Sequence, residues 1–380
     1  MKQKIQKFFF VSGARAEYYI VKELFVLLSK FYNSKIILHS DNFNLKKFYL
    51  KEDIFKNKSK FKFLKTNYKK SNDVKSISTS FSNQVRKLTL FFRKQKPSII
   101  MLTGDRSDTL AAALAATFNQ IPIIHIHGGE LSFGSVDEKF RHCISKLSNF
   151  HLVSHKNYKK RLIQLGEKKE NIKVIGSLSL DSISQKEIPS KINFFKENEF
   201  LNKKYILVSL NSSSNEETIS KISSKLFAEL DKFKNLTKVV TFPNSDLFNS
   251  HISKEILKRK KRKDYAIFKT LGNRYMHYLK YCQFIIGNSS SGIIEAPYFN
   301  KIFINIGDRQ DGRLFSKSST IKIYNLNTLN QQITKVLKSK KKIISKNLYY
   351  KKNSKKIVLN FIKNINFENI TYKKFIDLKI

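Results

Sequence analysis

The run Phe284-Ile285-Ile286 leads directly into Gly287-Asn288-Ser289-Ser290-Ser291-Gly292-Ile293-Ile294-Glu295-Ala296-Pro297, and this sequence is the most informative part of the chain. An apolar run, a turn of small polar residues and a renewed apolar pattern predict a strand, a loop and the start of a helix. The small residues leave backbone N–H groups uncovered at the positive end of the helix dipole, where an anion is favoured. The Glu295 carboxylate, one turn on, is suited to accept hydrogen bonds from ribose hydroxyls. We therefore expect a seat for a nucleoside diphosphate, although serines also commonly cap helices.

Outward from this stretch, short apolar runs alternate with helical patterns along most of the chain, which is typical of βα units on parallel sheets. A first series of strands is predicted over 5–11, 36–38, 98–102, 121–126 and 150–153, and a second over 205–210, 238–242, 283–286 and 301–306. The pattern predicts an α/β protein with two Rossmann-like, doubly wound domains that face a cleft. We expect an N-terminal domain over 1–181, a linker over 182–204, a C-terminal domain over 205–345 and a helical tail over 346–380.

The charge balance is strongly basic. The 380 residues include 73 Lys and Arg against 29 Asp and Glu, a formal net charge of +44. Only 11 of the basic residues are Arg, which leaves 73 − 11 = 62 Lys, whereas base-reading proteins favour the bidentate fork of Arg. Together with 32 Phe and only 12 Gly, this indicates compositional drift more than polyanion binding. The densest basic run, residues 258–263, is interpreted as a solvated helix end.

Two features bear on the compartment. Cys143 and Cys282 are too few for a disulfide framework, which favours a reducing environment. The apolar run at 8–11 is too short for a signal peptide, and the chain has no apolar stretch near the ~20 residues that span a bilayer. We expect a cytoplasmic protein without membrane contact.

Chemistry-bearing residues follow several predicted strands. Arg15 follows the first strand, and Asp105 and Glu130 follow two later ones. Asp137 comes shortly before His142 at helical spacing. Because the carboxyl ends of parallel strands meet at one edge of a sheet, the carboxylates are expected to converge. Paired carboxylates in a cleft suit the removal of a proton from a poor carbon acid, since burial and like charge raise one pKa.

Ten blocks of sequence together resemble the hydrolysing UDP-N-acetylglucosamine 2-epimerases of sialic and legionaminic acid synthesis. They occur in order at residues 13–17, 104–106, 125–130, 137–142, 146–148, 166, 175–177, 243–246, 287–297 and 305–313. The resemblance implies a glycosyltransferase-B architecture, a homodimer, a UDP-sugar substrate and no metal or redox cofactor. It also implies a reaction in which UDP is lost from C1, the C2 proton is removed, and water adds to the resulting glucal.

The resemblance also implies roles for individual residues. Asp105, Glu130 and Asp137 would be the acid–base carboxylates, with the one that removes the C2 proton left open. The substrate-binding residues would be Arg15, His142, Asn211, Ser290, Ser291, Gly292, Glu295 and Arg313. Among these, Glu295 would hold the ribose, and His142 would position a carboxylate or simply pack.

Two departures from the family pattern matter. Asn211 stands where a histidine is expected after the strand that opens the second domain. A neutral amide can donate a hydrogen bond to a phosphate but cannot supply a proton. Residues 39–70 lack the usual loop after the second strand, and Ser107-Asp108 replaces the commoner aromatic-acid pair, so sugar recognition is expected to differ there.

Three hypotheses remain open. The first is an active hydrolysing epimerase acting on UDP-N-acetylglucosamine or on a 2,4-diacetamido-trideoxy relative. The second is a UDP-sugar-binding homologue whose chemistry is impaired or redirected, which Asn211 favours and the retained carboxylates oppose. The third is a basic polyanion-binding protein in which the fold is incidental. Salt-sensitive nucleic-acid binding would favour the third.

Overall fold

The computed structural model describes residues 7–40, 43, 46, 58–66, 74–183, 188–201, 204–213, 215–243, 248–339, 343–365 and 373–377. The chain divides into two compact units. The N-terminal unit comprises Met1–Glu130, Asp137–Ser182 and Lys351–Ile380. The C-terminal unit comprises Leu131–Val136 and Ile183–Tyr350. Part of the block at 243–246 and much of the region 39–70 lie outside the described residues.

Each unit is built on one parallel sheet. The N-terminal sheet has the order β3-β2-β1-β4-β5-β6-β7, with all its strand pairs parallel. Its strands are β1 Phe8–Ser12, β2 Ser34–Leu38, β3 Phe61–Phe63, β4 Ile99–Thr103, β5 Ile123–Ile126, β6 Phe150–Val153 and β7 Ile172–Val174. The register aligns Phe8 with both Ser34 and Ile99. This order reverses at β1, as in doubly wound folds.

The C-terminal sheet has the order β10-β9-β8-β11-β12-β13, again with parallel pairs. Its strands are β8 Tyr205–Ser209, β9 Thr237–Thr241, β10 Tyr265–Phe268, β11 Phe284–Gly287, β12 Ile302–Ile306 and β13 Thr320–Ile323. The nine predicted strands coincide with observed strands to within three residues, apart from positions 5 and 6, which lie outside the described residues. β3, β7, β10 and β13 were not predicted.

Helices connect these strands. In chain order they are α1 Arg15–Leu28, α2 Val74–Gln95, α3 Ser107–Phe118, α4 Asp137–Leu147, α5 Lys156–Gln164, α6 Leu178–Ile183, α7 Lys191–Glu197, α8 Glu216–Leu230, α9 Asn249–Lys258, α10 Tyr275–Tyr281, α11 Ser290–Ile294, α12 Leu329–Lys338 and α13 Ser354–Lys363. Among the described helices, none combines the length and the apolar character needed to cross a membrane.

The first strand shows why a continuous apolar run belongs in the centre of a parallel sheet. Phe8, Phe9 and Phe10 are each at most 1% exposed. Phe8 and Phe10 pack in one cluster with Phe25 of α1, while Phe9 points to the other face and packs with Phe92 of α2. Side chains alternate along a strand, so both faces of β1 must be covered by apolar residues. Each buried Phe contributes roughly 1.5–3 kcal/mol to folding.

The end of the chain belongs to the N-terminal unit. Val358 and Ile362 of α13 pack into the same core as β1 and α1. Further on, the Lys373 ammonium donates to Glu167 Oε2 at 2.6 Å and to the Ser148 carbonyl oxygen at 2.7 Å. The helical tail expected over 346–380 is therefore divided, with its residues up to Tyr350 in the C-terminal unit and Lys351–Ile380 in the N-terminal unit.

Residues expected to form a linker over 182–204 include α7, which is part of the C-terminal unit. Phe194 of α7 is 2% exposed, and its ring lies 5.2 Å from that of Tyr278 and 6.2 Å from that of Tyr205. The Asn198 side chain accepts a hydrogen bond from the Tyr278 hydroxyl. Although this segment is polar in composition, its two buried aromatic side chains, Phe194 and Phe195, anchor it to the core.

Gly287 ends β11 at a φ of 140°, and a Cβ there would lie 2.0 Å from the Ser209 carbonyl oxygen of the neighbouring strand. Gly287→Ala should therefore lower the free energy of unfolding by roughly 3 kcal/mol or more. Gly166 also has a positive φ, of 81°, but its nearest Cβ contact would be 3.7 Å away. Gly166→Ala, the matched control, should cost only about 1 kcal/mol. Chemical denaturation of both variants measures the difference, and equal losses would contradict the steric explanation.

Candidate functional site

The residues predicted for the site lie on the loops that follow parallel strands, at the carboxyl edge of the sheet in their own unit. In the N-terminal unit, Arg15 begins α1 after β1, Asp105 follows β4, Glu130 follows β5 and Asp137 begins α4. In the C-terminal unit, Asn211 follows β8, Ser290 to Glu295 follow β11, and Arg313 follows β12. Ligands of open α/β sheets bind at this edge.

Arg141 of α4 joins the carboxylate-bearing loops of the N-terminal unit. Its side chain is 1% exposed and donates hydrogen bonds to the carboxylates of Asp105 and Glu138. It also donates to the Glu130 carbonyl oxygen at 2.9 Å. Burial alone would lower the pKa of Arg141, but the charges of Asp105 and Glu138 outweigh it and raise the pKa. A permanent positive charge therefore holds Asp105 and the Glu130 backbone together.

The Glu130 side chain is itself buried, at 4% exposure. Its Oε1 accepts hydrogen bonds from His127 Nδ1 at 2.7 Å and from the Ser154 hydroxyl at 2.8 Å. His127 adopts a φ of 71°, a conformation uncommon for residues other than glycine and found where the surroundings enforce it. The loop after β5 thus holds a carboxylate in a fixed orientation.

The His125 side chain connects β5 to neighbouring segments through hydrogen bonds. Its Nε2 lies 2.8 Å from the Gly104 carbonyl oxygen and its Nδ1 lies 3.2 Å from the Ser145 hydroxyl. Burial lowers the pKa of His125 to about 3, so the ring is neutral, and Nε2–H donates to the carbonyl. The imidazole therefore ties β5 to the turn that carries Asp105.

Asp137 and His142, the two predicted site residues on α4, are more exposed than Glu130. Asp137 lies in the first turn of α4 and is partly exposed. The His142 side chain is 56% exposed, and its Nε2 lies 3.3 Å from Glu138 Oε1. Arg141 rather than His142 contacts the Asp105 carboxylate of the neighbouring loop, because Arg141 lies on the buried face of the helix.

A second buried carboxylate, Glu17, was not among the predicted site residues. Its Oε2 accepts from the backbone N–H groups of Gly13 and Ala14 at 3.0 and 3.1 Å, and its Oε1 accepts from the Thr109 hydroxyl at 2.8 Å. Burial, and then the nearby Asp108 carboxylate, raise the pKa of Glu17 to about 8. Glu17 therefore links the loop before Arg15 to α3, which follows the Asp105 loop.

In the C-terminal unit the loop after β11 is fixed by Asn288, which is 1% exposed. Its side chain pairs with the backbone of Asn211, accepting from the N–H at 2.7 Å and donating to the carbonyl oxygen at 2.8 Å. Its own carbonyl oxygen accepts from Arg309 Nη1 at 3.2 Å and from Gln310 Nε2 at 2.8 Å. Asn288 thereby holds the loops after β8, β11 and β12 in one arrangement.

The turn into α11 matches the predicted strand-loop-helix pattern. Ser289 caps the helix by accepting from the Ser291 N–H at 3.4 Å, and the Ser291 hydroxyl contacts the hydroxyl of Tyr275. A Cβ on Gly292 would lie 2.3 Å from the ring of Phe303, so this glycine lets the helix approach β12. Glu295 follows α11 directly and is 9% exposed.

Leu131–Val136, the segment between Glu130 and Asp137, belongs to the C-terminal unit. The Phe133 N–H donates to the Asp311 carbonyl oxygen at 3.1 Å, and Arg313 Nε donates to the Leu131 carbonyl oxygen at 3.4 Å. The Arg313 residue is 9% exposed. The guanidinium predicted to bind phosphate thus also holds this segment.

Sequence reasoning missed three residues that organise these loops: Arg141, Asn288 and Glu17. Asn288 lies inside the strand-loop-helix sequence at 284–297, but its partner Asn211 is 77 positions away, so no local pattern reveals the pair. Glu17 had a signal, because a Glu three residues after a helix cap often bonds back to the cap backbone. No group of three or more His, Cys, Asp or Glu side chains within the described ranges could hold a metal ion.

Comparison with known proteins identifies the family. A family model described as UDP-N-acetylglucosamine 2-epimerase matches residues 45–363. The GDP/UDP-N,N'-diacetylbacillosamine 2-epimerase (hydrolyzing) of Campylobacter jejuni is 34% identical over 98% of this chain and 99% of its own. The UDP-N,N'-diacetylbacillosamine 2-epimerase (hydrolyzing) of Legionella pneumophila is 33% identical over 81% of this chain and 83% of its own.

Among solved structures, UDP-GlcNAc 2-epimerase from Neisseria meningitidis bound to UDP-GlcNAc aligns with a TM-score of 0.74 at 20% identity, covering 94% of this chain and 100% of that chain. The fold is thus confirmed as two Rossmann-like domains of the glycosyltransferase-B type. The chain belongs to the UDP-N-acetylglucosamine 2-epimerase family, which is a family of enzymes.

The raised pKa of Glu17 predicts a pH dependence of stability. With a pKa of about 8 in the folded chain and about 4.3 when unfolded, the folded state binds more protons between these values. The free energy of unfolding should therefore fall as pH rises from 5 to 8, by at most about 1.4 kcal/mol per pH unit from this group. Glu17→Gln should lose that slope, because the amide does not titrate and can keep the hydrogen bonds.

Urea denaturation at several pH values between 5 and 8 measures the slope. Glu23→Gln, on the same helix at a partly exposed position, is the control and should follow the wild type. Identical slopes for Glu17→Gln and the wild type would contradict a protonated Glu17.

Proposed function

We propose that this chain is a hydrolysing 2-epimerase. It converts UDP-N-acetylglucosamine, or a 2,4-diacetamido-trideoxy relative, to UDP and the free 2-epimeric sugar of the N-acetylmannosamine type. The observation that carries the proposal is the buried Arg141, which joins the loops of Asp105 and Glu130 in a chain that is 34% identical, over nearly its full length, to a hydrolysing 2-epimerase. The names of the Campylobacter and Legionella relatives favour the 2,4-diacetamido substrate.

The proposed reaction has two steps. In the first, a base removes the C2 proton, its electron pair forms the C1=C2 double bond, and the C1–O bond breaks with its electrons going to UDP. In the second, water adds its hydroxyl to C1 and a proton is delivered to C2 from the opposite face. Asp105, Glu130 and Asp137 are the proposed acid–base carboxylates. Positioned proton transfer of this kind is worth ~10²–10⁴-fold in rate.

In this proposal UDP is bound through the predicted substrate residues. Arg15, Ser290, Ser291 and Arg313 hold the diphosphate, and Glu295 holds the ribose. Asn211 and Gly292 complete this set. His142, whose Nε2 lies 3.3 Å from Glu138 Oε1, positions a carboxylate or simply packs. Backbone N–H groups at the capped start of α11 and the guanidinium groups stabilise the negative charge that develops on the leaving UDP.

The two other hypotheses, a UDP-sugar-binding homologue and a polyanion-binding protein, differ in how well the structure supports them. A UDP-sugar-binding homologue with impaired chemistry remains the alternative, because an amide occupies position 211. The polyanion-binding hypothesis loses support, because the Arg residues of the run 258–263 are engaged internally. Arg259 Nη2 lies 2.6 Å from Asp231 Oδ2, and Arg262 Nη2 lies 2.9 Å from Asp264 Oδ2.

The proposal also covers the compartment, the oligomeric state and the cofactor requirement. We propose a cytoplasmic homodimer that needs no cofactor. The two cysteines, Cys143 and Cys282, are free thiols, which is compatible with a reducing compartment. Light scattering of the purified protein measures the assembly.

Incubation with a UDP-sugar in D₂O tests the proposed reaction. The expected result is release of UDP together with a free 2-epimeric sugar that carries deuterium at C2, measured by NMR and mass spectrometry. UDP-N-acetylglucosamine and its 2,4-diacetamido-trideoxy relative should be compared as substrates. UDP release without deuterium at C2 would indicate plain hydrolysis, and UDP binding without turnover of any donor would favour the binding homologue.

Asn211→His tests whether the amide limits the rate. The backbone of Asn211 is held by the Asn288 side chain, so the substitution changes the side chain with little effect on the loop. We expect kcat to rise, on the order of tenfold or more, because an imidazole can donate a proton and an amide cannot. Asn211→Ala, which adds no imidazole, should not raise kcat. An unchanged kcat for Asn211→His would mean that no proton is transferred at this position.

A further inference from the structure

The loop after β5 carries a buried imidazole nitrogen that has no hydrogen-bond partner among the described residues. His127 is 9% exposed, and its Nδ1 lies 2.7 Å from Glu130 Oε1. Its Nε2 is buried and has no hydrogen-bond partner within the part of the chain that the structure describes. Buried polar atoms are almost always hydrogen-bonded, and a catalytic role is one of the recognised explanations for an exception. Nε2 is therefore an atom of the site with an unassigned function.

The hydrogen bond to Glu130 decides what Nε2 can do. The carboxylate Oε1 can only accept a hydrogen bond, so Nδ1 is the donor. With the proton on Nδ1, Nε2 is the nitrogen that carries the lone pair of the neutral tautomer. The Ser154 hydroxyl donates to the same Oε1 at 2.8 Å and fixes the carboxylate in turn. A carboxylate that holds an imidazole in one tautomer and stabilises its protonated form is the arrangement that makes an imidazole an effective base.

We propose that His127 is a further catalytic residue, with Nε2 as the base that takes the C2 proton. Glu130, included above among the acid–base carboxylates, then acts through His127 as its positioning residue. This rests on the proposed function. The Nε2 lone pair bonds to the proton, the C2–H electrons form the C1=C2 double bond, and UDP leaves with the electrons of the C1–O bond. The imidazolium then releases its proton to solvent. In the hydration step, another acid of the site protonates C2 and is reprotonated by the attacking water.

The backbone of His127 supports a role for this atom. A φ of 71° costs free energy for a residue with a side chain, and Asn or Gly would adopt it more readily. The neighbouring Gly129 also has a positive φ, and a Cβ there would lie 2.4 Å from the Tyr158 carbonyl oxygen. The backbone of this loop is therefore fixed in one conformation. His127 occupies a position in it where Gly or Asn would be less strained.

The decisive variant is His127→Asn. The Asn side-chain amide can still donate to Glu130 from near the place of Nδ1, and Asn tolerates the backbone conformation, but no atom replaces Nε2. We expect kcat for UDP release to fall ~10²–10⁴-fold, with the Kd for UDP changed less than about threefold. His251→Asn is the control, since His251 pairs with Glu216 in the C-terminal unit at 2.8 Å, and its kcat should match the wild type.

A second variant, His127→Gly, keeps the test decisive if the first does not fold. Glycine suits the φ of 71° and leaves space for added imidazole, which should restore UDP release at least tenfold in a saturable manner. Imidazole should not restore activity to Glu130→Ala, which retains the ring of His127. A His127→Asn enzyme within threefold of the wild-type kcat, or a glycine variant that imidazole does not rescue, overturns the assignment.

The wild-type protein in the same assay separates the two failures. If it turns over a UDP-sugar while His127→Asn keeps its rate, the inference is overturned and the proposed function stands. If the wild type releases no UDP from any donor, the proposed function fails and the assignment of His127 fails with it.

Discussion

The arrangement of the N-terminal loops depends on one buried charge, the guanidinium of Arg141. It binds the Asp105 carboxylate after β4, the Glu130 backbone after β5 and Glu138 on its own helix. A buried charge of this kind is stable only while its partners remain, and removing one partner is strongly destabilising. The geometry of the site in this unit is therefore tied to the stability of the unit.

In the C-terminal unit the loops are held together by a neutral side chain, that of Asn288. Asn288 uses both atoms of its amide on the Asn211 backbone and its carbonyl oxygen on Arg309 and Gln310. Because Asn288 has no carboxylate, it does not neutralise the positive charge of Arg309, which it contacts. This suits loops proposed to bind a diphosphate, whereas the ion pairs around Arg141 suit loops proposed to move protons.

The sequence predicted the fold well because the central strands are buried on both faces and read as continuous apolar runs, as in β1 and β11. The strands it missed are short and partly exposed at sheet edges, such as β7 and β13, where no such run exists. The candidate site was predicted through motifs after strands. The motifs could not show whether Arg141 or His142 lies on the buried face of α4. Both are about one helical turn from Glu138 and both contact it.

Asn211 and His127 bear on the same chemical question. The resemblance placed a histidine where Asn211 stands, and the absence of that imidazole favoured impaired catalysis. The structure describes another imidazole, in the N-terminal unit, with its Nδ1 bonded to a buried carboxylate and its Nε2 unpaired among the described residues. An enzyme of this kind needs a proton removed and a proton delivered, and a single side chain cannot do both on opposite faces of C2. An amide at position 211 is therefore compatible with a slower but active enzyme, because hydrogen bonding to a phosphate requires only a neutral donor. Proton transfer at C2 is assigned to the N-terminal unit, and what the amide cannot supply is a proton to the leaving UDP.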